Sequence, residues 1–179
     1  NLHGQEKEIH LRNQVADKIY NNYLLEISNH HSIGVMDLEV ASFLRKLPKN
    51  SVVCDIGGCW GWHWRYIKDQ RPDVRIIIVD FVRKNLNHAK NVLGKLIDNQ
   101  IYLVNGDANN LRFDDNTFNA VFSVQTIQHI PNYKNVYYEI FRILKNDAYF
   151  YNYNLKYMED CTDIAPCKLC GLYTYNRYI

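Results

Sequence analysis

The sequence predicts an α/β fold: a doubly wound, mainly parallel sheet with helices on both faces, its C-terminal strands missing or incomplete. Three observations carry that expectation. Short apolar runs alternate with amphipathic stretches from residue 52 to residue 155. The first run ends in Asp55 and crosses three glycines, Gly57, Gly58 and Gly61. The next two runs also lead into acids, Asp80 and Asp107, and ligands of such sheets sit at the carboxyl ends of the strands.

The elements follow in order. Glu6 to Ser28 carries Ile9, Val15, Ile19, Tyr20, Tyr23, Leu24 and Ile27 at helical spacing, which predicts one amphipathic helix. Ser32 is placed to cap a second, with Val35, Met36, Leu38, Ala41, Phe43, Leu44 and Leu47 as its apolar side and Pro48 closing it. Then comes SVVCDIGGCWGWHWRY, residues 51–66, read as a buried strand, a tight glycine turn and the start of a helix. Backbone N–H groups and the helix dipole would converge there and attract an anion.

Val74 to Val79 is the second strand, Asn85 to Ile97 a helix, and Ile101 to Val104 the third strand. Asn119 to Val124 is the fourth, Lys134 to Leu144 a helix, and Ala148 to Leu155 the fifth. That divides one domain into N-terminal helices over 1–48, a ligand-binding core over 49–155, and a C-terminal segment over 156–179 too short for a helix and two strands. The exposed edge of the fifth strand is expected to be covered by the Tyr-rich tail or by a second chain.

Composition excludes several classes. A formal charge of +2 with 22% charged residues is close to neutral and gives no nucleic-acid footprint. No apolar stretch is long enough to span a bilayer, and the first ten residues hold no signal-peptide core, so a soluble, cytoplasmic protein is expected. The chain begins with Asn1 rather than Met, as a processed or partial chain would. Five cysteines, one inside a strand, argue against a disulfide scaffold. Cys161, Cys167 and Cys170 contain one C-x-x-C without a fourth ligand at zinc-finger spacing, so no metal is expected.

DIGGCWG, with NGDANNLRFDDNTFNAVFSVQTIQH at residues 105–129, resembles the class I S-adenosylmethionine (SAM) dependent methyltransferases, of the group that includes the ubiquinone and menaquinone biosynthesis enzymes. The resemblance covers about Val52 to Leu155 and implies a Rossmann-like fold, SAM as methyl donor and S-adenosylhomocysteine as product. Two positions depart from the pattern: Cys59 stands where the family usually has glycine, and Asn119 where it often has Asp.

A bound SAM needs partners for its amino-acid end, ribose diol and adenine. The resemblance assigns the first to the turn Gly57, Gly58, Cys59 and Gly61, with Asp55 favouring the ammonium directly or through water. Asp80 would accept from the ribose hydroxyls, beside Phe81. Asp107 would accept from the adenine amine while the Ala108 N–H donates to the ring. Val124, Gln125 and His129 would lie beside the sulfonium and the acceptor, His129 as a general base or as a structural histidine. Taken singly, each acid also reads as a strand-end carboxylate capping a turn. Trp60, Trp62, His63 and Trp64 are placed either to wall the cofactor or a flat substrate or to pack a helix; Trp64 reads as packing and His63 as a hydrogen-bonded helix residue. The N-terminal helices, with Tyr20, Tyr23, His30 and His31, would fold over the pocket as a lid by analogy with similar enzymes.

The expected activity is methyl transfer to a small-molecule acceptor, with a homodimer as a further expectation. A tRNA-directed methyltransferase and a non-catalytic SAM-binding module are the alternatives. A nicotinamide dehydrogenase fits less well, because GGCWGW lacks the G-x-G-x-x-G register.

Overall fold

The computed structural model describes residues 20–155 and 172–178, together with positions 10 and 18. Helices α1 (Tyr23–Ser28) and α2 (Ile33–Lys46) precede β1 (Val52–Ile56). There follow a 3-10 turn (Trp62–Trp64), α3 (Ile67–Gln70), β2 (Arg75–Asp80), α4 (Arg83–Leu93) and β3 (Ile101–Asn105). β4 (Phe118–Val124), a 3-10 turn (Ile127–His129), α5 (Tyr133–Ile143), β5 (Leu144–Leu155) and β6 (Leu172–Tyr178) complete the order.

The sheet order is β3-β2-β1-β4-β5-β6. β1 to β5 are parallel and β6 is antiparallel to β5. β1 is therefore central, and the order reverses beside it, which opens a crevice at the carboxyl ends of β1 and β4.

Because side chains alternate along a strand, each strand feeds two cores. Val53, Ile76, Ile78, Ala120 and Phe122 join one face with α2 and α4, through Phe43, Leu44, Leu86 and Leu93. Cys54, Ile56, Val79, Phe118 and Val121 join the other face, covered by α5 through Val136, Ile140 and Ile143. The two-sided layering is what the strand and helix alternation predicts.

Several elements differ from the sequence reading. The single helix expected over Glu6 to Ser28 is interrupted: Tyr20 to Asn22 are not helical, and the Asn22 side chain accepts from the Leu25 N–H at 3.1 Å, starting α1 afresh. Ser32 occupies the first capping position of α2, but its side chain makes no capping bond; its carbonyl accepts from Met36 N–H. No long helix follows the glycine turn. Trp62, His63 and Trp64 are all buried, so the segment has no solvent face and curls into a 3-10 turn. β5 starts at Leu144 rather than Ala148, with a register shift against β4 between Phe118 and Ala120. The Tyr-rich tail supplies β6, which pairs along the β5 edge from Tyr149 to Leu155. Cys161, Cys167 and Cys170 lie outside the described residues.

The loop after β3 is fastened to α5 by an ionic network. Glu139 accepts from Arg142 Nε and Nη2, each at 2.9 Å, and from the Leu111 N–H at 2.7 Å. Arg142 also donates to the carbonyls of Leu111 and Phe113 and to Asp115. The Arg142 guanidinium holds the Glu139 carboxyl below its ordinary range. Such a carboxylate stabilises the fold above its unfolded-state pKa, and the contribution fades as pH falls through the lower folded-state value. Glu139→Gln is expected to lower stability at pH 7 by about 2 kcal/mol, as for lost hydrogen bonds to a charged group. Urea unfolding at pH 7 and pH 3 should show the difference from wild type shrinking at the lower pH.

Candidate functional site

A cavity of about 280 Å³ opens at the carboxyl ends of β1 to β4. Its wall includes Gly57, Cys59, Asp80, Phe81, Asp107, Ala108, Val124, Gln125 and His129, all singled out from the sequence. Three residues of that set stand elsewhere: Asp55, Gly58 and Gly61 are not on the wall. The wall also holds His31, which the sequence places only in a lid over the pocket, and Asn85, Thr126, Ile130 and Pro131, which sequence reasoning did not select. Thr126 and Ile130 flank selected residues and could have been included on that ground. Asn85 opens the helix after β2, whereas His31 comes from a distant turn and carries no local signal.

Asp55 turns into the core. It is fully buried, and its Oδ2 accepts from Trp64 Nε1 at 2.7 Å and from His63 Nε2 at 2.9 Å. Its Oδ1 is buried with no hydrogen-bond partner among the described residues. The register explains the direction: Asp55 pairs with Ile78 on one side and Phe122 on the other, both on the aromatic face. Trp64 is thus packed, and His63 is hydrogen bonded as expected, although on a 3-10 turn and not a longer helix.

The glycine turn serves this packing. A Cβ at Gly58 would run into the Asp55 carboxylate, and one at Gly61 would meet Ile78 and Leu93. Gly57, at φ 69°, backs against the Thr126 side chain. The N–H groups of Gly57 and Gly61 are already bonded, to Val79 O and Gly58 O, each at 2.7 Å. The anion-attracting helix start expected here is thus replaced by a turn whose glycines are needed for close contact with the protein itself.

Asp80 is the polar centre of the cavity. Only 7% exposed, it accepts at Oδ2 from the Cys59 N–H (3.0 Å) and at Oδ1 from the Val82 N–H (2.8 Å) and Asn85 Nδ2 (3.3 Å). Burial pushes the Asp80 carboxyl above its ordinary range, against the pull of those three donors. A carboxylate offers about four acceptor positions, so capacity remains for a ligand hydroxyl. Asp107 Oδ1 accepts from the Asn109 N–H at 2.8 Å, forming a turn that holds the β3 loop at the cavity.

Two wall residues adopt left-handed backbone without being glycine: Cys59 at φ 53° and Gln125 at φ 51°. Such conformations concentrate at functional sites. His129 is exposed, and its Nε2 lies 3.3 Å from the neighbouring Gln128 side chain. Asn119 accepts from the Val52 N–H at 3.0 Å, a structural use of that position. Among the described residues the wall holds two acids, two histidines and no lysine or arginine, which suits a ligand that is cationic or rich in hydroxyl and amine donors.

Parallel sheet, central strand and acid-walled crevice define a nucleotide-type α/β binding domain. The sequence matches the family described as Methyltransferase domain over residues 54–152, more than half of the chain, and the chain belongs to that family. Among curated relatives, it is 41% identical to a sterol 24-C-methyltransferase of Gibberella zeae over 54 residues, 30% of this chain and 14% of that protein. It is 27% identical to a demethylmenaquinone methyltransferase of Lactobacillus johnsonii over 149 residues, 77% of this chain and 61% of that protein. The chain thus spans less than two thirds of either relative. Among solved structures, a SAM dependent methyltransferase from Aquifex aeolicus shares the fold at TM-score 0.60 and 20% identity, covering 72% of this chain and 68% of that one. Among the described residues, no helix is long and apolar enough to cross a membrane.

Gly58→Ala is expected to cost about 1–3 kcal/mol, because overpacking here displaces a buried carboxylate and not a flexible chain end. Gly34→Ala, whose Cβ meets nothing within 4 Å, is the matched control and should not destabilise. Equal Tm values for the two variants would contradict this account of the turn.

Proposed function

We propose that the chain is the cofactor-binding core of a SAM-dependent methyltransferase acting on a small-molecule acceptor. The observation that carries this reading is Asp80, a nearly buried carboxylate on the wall of an acid-lined cavity at the end of β2, within a methyltransferase-domain chain. In this reading Asp80 accepts from the ribose hydroxyls, and Asp107 with the Ala108 N–H addresses the adenine edge. The turn at Gly57 and Cys59 borders the amino-acid end. Asp55, away from the wall, reaches the ammonium only through water, for which its unpartnered Oδ1 is suited. The bound cofactor supplies an electrophilic methyl group on a sulfonium. The chain's part is to hold the two reactants in line and exclude competing water.

The near-neutral charge supports a small acceptor over tRNA. β6 covers the β5 edge, which removes one motive for pairing with a second copy and favours a monomer over the homodimer. A cytoplasmic setting belongs to the same reading and is supported by Cys54 and Cys59, which form no disulfide among the described residues. A non-catalytic SAM-binding module is the second reading, favoured by Cys59 in its left-handed position on the wall.

Calorimetric titration with SAM and with S-adenosylhomocysteine tests the cofactor assignment. Wild type should bind both. Asp80→Asn, checked for folding by its thermal transition, should bind at least tenfold more weakly, about 1.4 kcal/mol. A folded wild type that binds neither ligand would overturn the proposal.

A further inference from the structure

His31 stands in the turn between α1 and α2, about a hundred residues from the other cavity histidine, yet it forms part of the same wall. Its backbone is fixed, since its N–H donates to Ile27 O at 2.9 Å and so closes the C-terminal turn of α1. Its ring is fixed too, tilted against the buried Trp62 indole with centroids 5.9 Å apart. Among the described residues neither ring nitrogen has a hydrogen-bond partner, although the side chain is half-buried. A placed imidazole with open nitrogens facing a cavity is equipped to exchange a proton with what enters it. His129 lacks these features: it is exposed and lies beside Gln128.

We propose that His31 is the acceptor-side base of this site, taking the proton from an O–H or N–H acceptor as that acceptor is methylated. The inference rests on the methyltransferase reading above. The acceptor's oxygen or nitrogen lone pair bonds to the methyl carbon, the carbon–sulfur bond breaks, and its electron pair stays on sulfur, leaving a neutral thioether. The acceptor's proton passes to the open ring nitrogen of His31 and from the imidazolium to water. Charge balances, since the cation lost at sulfur leaves as that proton.

The electrostatics support this role. Burial holds the His31 ring below its ordinary pKa, and His30 and His63 act in the same direction. The groups that act on its charge are His30 on its own turn and His63 on the neighbouring 3-10 turn, and the titratable groups sharing its cavity wall are Cys59, Asp80, Asp107 and His129. A neutral imidazole at working pH can accept a proton, whereas a protonated one cannot.

Three readouts on the intact chain test the proposal. An NMR titration of the histidine rings should place the His31 midpoint below the ordinary histidine value. Carbethoxylation by diethyl pyrocarbonate, followed residue by residue by mass spectrometry, should label His31, and saturating S-adenosylhomocysteine should slow that labelling at least fivefold. With phenol and amine acceptors assayed by release of S-adenosylhomocysteine, His31→Gln should lower kcat about 100-fold. It should also abolish the acid limb of the pH profile and leave the calorimetric Kd for S-adenosylhomocysteine within threefold. His30→Gln should match wild type. If S-adenosylhomocysteine binds but leaves His31 labelling unchanged, or His31→Gln retains wild-type turnover, the proposal fails alone. If S-adenosylhomocysteine does not bind folded wild type, the cofactor reading fails and takes this proposal with it.

Discussion

The buried carboxylate of Asp55 is the constraint around which the rest of the structure is arranged. An ionised group fully out of water is costly unless hydrogen bonded, and the chain provides the indole of Trp64 and the imidazole of His63, at 2.7 and 2.9 Å. Those two bonds pull the aromatic segment after the glycine turn back onto β1. Trp64 then lies 5.0 Å from Phe122 and 6.1 Å from Phe43 between ring centroids, and His63 stacks on Phe122. α2 is seated on the sheet through that same Phe43, so the position of the N-terminal helices follows from one strand-end acid. Gly58 is left without room for a side chain by the Asp55 carboxylate.

Asp80, the acid ending the neighbouring strand, has the opposite use. Asp55 sits level with Ile78, so Asp80 lies two residues further along β2, beyond the level at which the aromatic core closes. It gathers the Cys59 N–H, the Val82 N–H and the Asn85 amide around a carboxylate that still borders the cavity. The unfavourable backbone of Cys59, of order 1 kcal/mol or more, is thereby held in place by a charge-assisted hydrogen bond. Gln125 is held similarly, its N–H donating to Tyr153 O at 2.7 Å. Both strained residues are on the cavity wall, where such strain recurs.

What was legible in the sequence follows from period and spacing. The apolar runs of β1, β2 and β4 and the helical stripes of α2 and α5 are local patterns, so the layering and the acids at the strand ends could be read directly. Register is not local. Whether Asp55 faces a ligand or a tryptophan depends on its lying beside Ile78 and Phe122, which no single segment reveals. Aromatic density misleads for a related reason: the stretch after the glycine turn reads as a helix start, but the rings of Trp62, His63 and Trp64 are all drawn inward, leaving a 3-10 turn. The break at Tyr20 to Asn22 depends on one side-chain cap, a signal that propensity averages out. His31 was noticed only as part of a lid, because nothing nearby marks it as a wall residue.

The two halves of the cavity are built by different means. The half with Asp80, Asp107 and the glycine turn is made at strand ends, where sheet register fixes the backbone and only residue type can vary. The half with His31 and the segment from Gln125 to Pro131 is made of turns, which tolerate change in length and sequence. Those turns are not independent of the sheet. His31 leans on Trp62, Trp62 adjoins His63, and His63 is fixed by Asp55. A strand-end acid that is not on the cavity wall therefore sets the position of the His31 side of the cavity. Those turns can vary in sequence as long as the bonds from Asp55 to His63 and Trp64 keep that side in register with the sheet.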